Sequence, residues 1–148
     1  MIASDDKLQA RVVLAVSMAM AGIFIYAAID KIRDPLQFAD SIAAFGILPA
    51  VFVSLLALAL PPFEIACGLL MLAPRTRRIG ALAITLLSAV FFTALASAVL
   101  RGLTLDCGCF GAGAPSRPRM WVELVLDMVL FASALFIYLR SITRPSPE

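Results

Sequence analysis

Charged side chains are absent from four long stretches of the chain, residues 12–29, 41–63, 79–100 and 128–139. A helix needs ~20 mostly apolar residues to cross a hydrocarbon core of ~30 Å. The stretches meet or nearly meet that length, and they place membrane spans at about 12–29, 48–72, 79–100 and 120–139. A cleaved signal peptide is the rival reading of the first span. However, apolar residues continue past the small cluster Ala19-Met20-Ala21-Gly22 into Ile23-Phe24-Ile25, longer than a signal peptide's usual apolar region. The pattern therefore predicts an all-α membrane protein, a four-transmembrane-helix bundle with antiparallel neighbours, forming a single domain over residues 1–148.

The connectors have their own signals. In residues 30–47, Asp34 stands where it can cap a helix that restarts at Pro35. Phe38, Ile42, Phe45 and Ile47 recur at nearly helical spacing, which predicts a short interfacial helix after the first span. Pro61-Pro62 lies inside the second span and predicts a kink, because both residues lack an N–H and their rings crowd the preceding turn. Pro74-Arg75-Thr76-Arg77-Arg78 reads as a tight basic turn. The third span is rich in small residues, including Gly80, Ala81, Ser88, Ala89, Ala94, Ala96 and Ser97, which let membrane helices approach closely. That face serves a dimer as readily as an internal core. Residues 101–119 carry glycines and prolines that argue against a continuing helix. Trp121 and Tyr138 bracket the fourth span as interface anchors.

Composition agrees with this reading and narrows the chemistry. Hydrophobic residues make up 62% of the chain and charged residues 15%, with a mean hydropathy of +1.00. Soluble domains average ~45–50% and ~25%, and a chain this short has no interior large enough to hide the excess. A net charge of +2 provides no clustered basic face for nucleic acid. The absence of His removes imidazole acid–base catalysis, Ser-His-Asp and Cys-His nucleophiles, and His-ligated metal or haem.

Four spans put both termini on one side of the bilayer. That side collects Lys7, Arg11, Arg75, Arg77, Arg78, Arg140 and Arg144, against Lys31, Arg33, Arg101, Arg117 and Arg119 on the other. The positive-inside rule favours cytoplasmic termini by this seven-to-five margin. The expected location is a bacterial inner membrane, with residues 101–119 in the periplasm, where cysteine pairs oxidise and persist.

Cys107-Gly108-Cys109 is the strongest local signal. Two thiols one residue apart can close a small ring, and Gly108 relieves the steric limits on closure. So tight a ring departs from relaxed disulfide geometry and is easily reduced, while closing it adds little stability. That suits thiol exchange better than stapling. Three readings stand: a redox pair, an inert disulfide at the membrane rim, and a metal ligand pair, the last lacking the four ligands of a closed thiolate zinc site. Arg101, Arg117 and Arg119 favour a thiolate and Asp106 opposes it. Cys67 falls roughly 7–8 Å from the inner end of its span at ~1.5 Å per residue, and reads as a small buried hydrophobe far from the pair.

Ionisable residues inside a span are functional hypotheses by default. Glu64 lies near the middle of the second span, with no basic residue expected at its depth. Glu123 and Asp127 share a face of the fourth span at i, i+4. Two readings weigh against each other for these two. They handle protons or sit by a quinone head group, or they form ion pairs with Lys31, Arg33 or Arg101 at the outer rim.

These residues together resemble the MauE branch of the DoxX-like membrane proteins over nearly the whole chain. Gly22, Lys31, Asp34-Pro35 and Phe38 match the first-span signature, and Ile47-Leu48-Pro49 the entry to the second span. Glu64 through Gly68 match a Glu-x-x-x-Gly pattern. Asp106-Cys107-Gly108-Cys109-Phe110-Gly111 is the most specific motif. Asp127 falls where relatives often carry an Arg-Asp or Arg-Asn pair, with Leu126 here in place of the Arg. The resemblance implies a four-helix bundle that handles thiols and disulfides for periplasmic proteins, as in maturation of a disulfide-rich dehydrogenase subunit. It implies Cys107 and Cys109 as the reacting pair, with Asp127, Glu123, Glu64 and Lys31 in support. The partner expected is a periplasmic thioredoxin-like or disulfide-containing protein. No cofactor is evident in the residues; a quinone enters through the family's links to quinone-coupled thiol oxidation. Quinone-linked disulfide-forming bundles carry two cysteine pairs, whereas this chain carries one. The alternatives are a non-enzymatic membrane assembly or maturation subunit with a structural cysteine pair, and a metal- or small-solute-handling membrane protein.

Overall fold

The computed structural model describes residues 2–105 and 116–143, without the side chains of residues 2–6. Five helices follow one another: α1 (Ile2–Arg33), α2 (Pro35–Ala44), α3 (Ala50–Leu72), α4 (Arg77–Leu100) and α5 (Arg117–Thr143). All but α2 are long and apolar enough to cross a membrane. The protein is a multi-pass membrane bundle, as the apolar stretches predict. α1, α4 and α5 outlast their uncharged stretches, because charged side chains limit membrane depth without breaking a helix.

The breaks between helices follow from a few residues. Asp34 adopts φ −134°, ψ 76°, as a residue before proline tends to do, and its Oδ1 accepts from the Gln37 N–H at 3.0 Å. Pro35 then opens α2 at the first helical position. Gly46 leaves α2 at φ +63°. At the end of α4, Gly102 turns left-handed at φ +70°. There Leu103 N–H donates to Ala98 O at 3.0 Å and Gly102 N–H to Val99 O at 3.0 Å. This paired arrangement is a Schellman motif, and it folds Leu103 back onto the apolar end of α4 and α5. α3 runs as one helix through Pro61 and Pro62.

The long helices close a ring in which α1 packs on α3, α3 on α4, and α4 on α5, with α5 returning to α1 along the sparsest seam. α2 packs chiefly on α3 and buries Phe38. Two apolar clusters fill the interior. One joins Met20, Phe24, Cys67, Met71, Ile84 and Ile137 toward the termini; the other joins Leu95, Ala98 and Met120 at the opposite end. Large aliphatic residues such as Val51, Leu58, Leu86 and Val125 point outward, which suits lipid and would be costly against water.

Glycine sets the closest helix approaches. A Cβ on Gly80 would stand 2.9 Å from Met71 N and 3.1 Å from Cys67 O, so α3 and α4 meet backbone to backbone there. A Cβ on Gly68 would meet Ile25 Cγ1 at 3.0 Å and Ala21 O at 3.2 Å on α1. Gly22, by contrast, has nothing within 4 Å of a built Cβ. Replacing Gly80 with Leu should therefore push α4 off α3 and lower stability by ~1–3 kcal/mol. Gly22→Ala should be neutral or gain up to ~1 kcal/mol of helix propensity. Thermal unfolding in detergent compares the two; equal effects would refute the packing argument.

Candidate functional site

A layer of ionisable and polar side chains separates the two apolar clusters. Its centre is an ion pair between α1 and α3. Lys31 Nζ donates to Glu64 Oε1 at 2.9 Å and to Oε2 at 2.8 Å, with Lys31 4% exposed and Glu64 2%. The Phe38 ring of α2 covers the ammonium, its centroid 5.4 Å from Nζ.

This pair corrects the expectation that Glu64 has no basic partner at its depth. It also commits Lys31 to Glu64 rather than to an ion pair with Glu123 or Asp127. The reason is a shift in register. Gly68 meets Ala21 and Ile25, so α1 ascends beside the lower part of α3 and ends at the level of Glu64. Glu64 is fourteen residues (64 − 50) along α3, ~21 Å from its start at 1.5 Å per residue. Asp34-Pro35 ends α1 at that depth, and α2 covers the rest of α3.

The remaining rim cations also have other roles. Arg101 donates from Nη2 to Phe45 O at 2.6 Å and from Nε to Ser97 O at 3.3 Å, tying the end of α4 to the end of α2. Arg33 is exposed. Glu123 is buried at 5% exposure, and its Oε1 accepts from Arg119 Nε at 3.1 Å within α5. Among the described residues the ion pair at Glu123 is with Arg119, one turn away on the same helix, and not with Lys31, Arg33 or Arg101. Asp127 lines the same cavity as Ser88 of α4. Its Oδ2 is buried without a hydrogen-bond partner among the described residues. Leu126, the position of the family's cation, lies on the exposed face of α5.

Lys31, Glu64, Ser88, Glu123 and Asp127 border one cavity of about 40 Å³, whose other walls include Phe24, Phe45, Phe91 and Leu95. That space admits a water or two. Ser88 entered the sequence reading only as a small packing residue; its signal as a site residue is a hydroxyl on the buried face of an otherwise apolar span. Among the described residues no group of three His, Cys, Asp or Glu is arranged to hold a metal.

Cys67 is 1% exposed in the terminus-side cluster, one turn from Glu64. Asp106, Cys107, Gly108, Cys109, Phe110 and Gly111 lie outside the described residues. Both edges of that segment are tied to the bundle. Leu103 and Leu105 pack on Leu95, Ala98 and Met120, and the Leu105 N–H points to Met120 Sδ at 3.2 Å.

Comparison with known proteins follows this geometry. The family model described as methylamine utilisation protein MauE matches residues 9–140. The methylamine utilization protein MauE of Paracoccus denitrificans is 35% identical over 135 residues, covering 90% of this chain and 72% of its own length. That of Methylophilus methylotrophus is 34% identical over 84% of this chain and 63% of its own, and that of Paracoccus versutus 34% over 78% and 62%. The chain thus spans somewhat less than two thirds of two of these relatives. No solved structure matches it.

The ion pair makes a direct prediction. Lys31→Met strands a carboxylate in the bundle and should cost ~3–5 kcal/mol. Adding Glu64→Leu should recover most of that loss. A double-mutant cycle on unfolding in detergent measures the coupling, and additive losses would contradict the pairing.

Proposed function

The chain belongs to the MauE family of methylamine utilisation proteins, and from that premise we propose that it is a membrane thiol–disulfide redox component of such a system. Cys107 and Cys109 are the reacting pair. They exchange with a periplasmic thioredoxin-like or disulfide-containing protein whose maturation depends on them. The observation that carries the reading is the Cys-Gly-Cys sequence in a connector whose two edges are anchored over a buried acid layer.

The chemistry balances between the two proteins. A thiolate of one attacks a disulfide sulfur of the other and forms a mixed disulfide, releasing one thiolate. The second thiol of the attacking pair loses its proton and resolves the bond. One disulfide is reduced and one dithiol oxidised, so two electrons and two protons change hands. Glu123 and Asp127, bordering the same cavity from α5, take the role of proton relay beneath the connector. The cavity of about 40 Å³ does not admit a quinone ring, for which the ~150 Å³ hole that binds benzene is a fair measure. A lipid-soluble quinone acting as final electron acceptor would therefore meet the pair at the membrane surface and not in that cavity, and the exchange step itself needs thiols and disulfides only. The bilayer in this reading is the bacterial inner membrane, with cytoplasmic termini and a periplasmic connector, as the charge count favours.

A Cys107→Ala or Cys109→Ala variant should trap a mixed disulfide with the partner, visible as a reducible adduct on a non-reducing gel. Thiol tagging of the unaltered protein in membranes should show the pair switching with the partner's redox state. A pair that stays oxidised throughout would overturn the proposal and leave a structural staple in an assembly subunit. Asp127→Asn should slow exchange severalfold while the bundle keeps its unfolding temperature; unchanged exchange rates across pH would remove the proton role.

A further inference from the structure

The sparse seam between α1 and α5 opens, at the end of the bundle that holds the termini, into a groove of about 370 Å³. That is within the ~300–1,000 Å³ of ordinary ligand sites. Its wall is apolar where Leu8 and Val12 of α1 face Phe136 and Ile137 of α5. Leu8, Val12 and Phe136 are all exposed. Two arginines border it, Arg77 at the start of α4 and Arg140 near the end of α5.

Both guanidinium groups are held in place by a single hydrogen bond. Arg140 Nη1 donates to Gln9 Oε1 at 2.9 Å, and the group lies 5.3 Å from the Phe136 ring centroid. Arg77 Nε donates to Met71 O at 3.2 Å. Their other N–H groups have no hydrogen-bond partner among the described residues, and no carboxylate of a described residue borders the groove. Arg78, stacked on Tyr138 at 5.9 Å, adds a third positive charge nearby. A pre-oriented pair of guanidinium forks beside an apolar channel matches a phosphate joined to an acyl chain. No carboxylate among the described side chains competes for these guanidinium groups, which favours an anionic head group over a zwitterionic one.

We propose that this groove binds an anionic phospholipid. The phosphate sits between Arg77 and Arg140, and an acyl chain runs along Leu8, Val12 and Phe136. This assignment is independent of the thiol chemistry at the other end of the bundle.

The test uses the purified full chain, incubated with phosphatidylglycerol or phosphatidylcholine of matched acyl chains, with bound lipid counted by native mass spectrometry. The unaltered protein should retain the anionic lipid on the order of tenfold better. Arg77→Gln with Arg140→Gln should bring that ratio close to one, and Arg77→Lys with Arg140→Lys should leave an intermediate ratio. Arg101→Gln at the opposite end should not change it. Equal retention of the two lipids by the unaltered protein overturns the proposal, whether or not the variants fold. So does equal loss in Arg101→Gln, occupation by inorganic phosphate in place of lipid, or a groove closed by a second copy of the chain.

Discussion

A lysine and a glutamate placed in the dry middle of a helical bundle have few stable arrangements. Either charge alone is costly there, and a loose pair recovers little of that cost. Here Lys31 reaches both carboxylate oxygens of Glu64 at 2.8–2.9 Å, and the geometry of the neighbouring helices serves that contact. Gly68, one turn along α3 on the same face as Glu64, lets α1 approach. Asp34-Pro35 ends α1 just past Lys31, and α2 brings Phe38 over the ammonium. The Lys31, Asp34-Pro35, Phe38 and Glu-x-x-x-Gly elements of the family pattern are thus parts of one junction.

That junction divides the interior into layers. The apolar cluster toward the termini and the smaller one at the opposite end share their boundary residues with the cavity between them, Phe24 on one side and Leu95 on the other. Polar side chains from α1, α3, α4 and α5 converge at that level. A water-sized space among acids suits proton movement and excludes a bulky ring. At the end of the bundle away from the termini, Arg101 ties α2 to α4 and a Schellman turn at Gly102 closes α4.

The two ends are built differently. One is closed by apolar packing of Leu103, Leu105 and Met120. The other leaves a seam between α1 and α5 edged by arginines.

Hydrophobic pattern alone determined that the chain crosses a membrane four times. In a bilayer every backbone group must be satisfied within its own helix, so an uncharged run of sufficient length has one stable form. The sequence also determined the restart at Asp34-Pro35, a local effect of two residues, and marked Gly80 as one of several small residues that permit close approach. It could flag Glu64, Glu123 and Asp127 as exceptional, but it could not pair them. Depth counted from the end of an apolar run assumes that every helix starts at the same level, and α1 does not: it ends beside the middle of α3. Only the tertiary structure set that register. It made Lys31 the partner of Glu64, whereas Arg119 reaches Glu123 within one turn of α5. It also left Asp127 facing Ser88, because which side chains meet inside a bundle depends on how far each helix slides past the next.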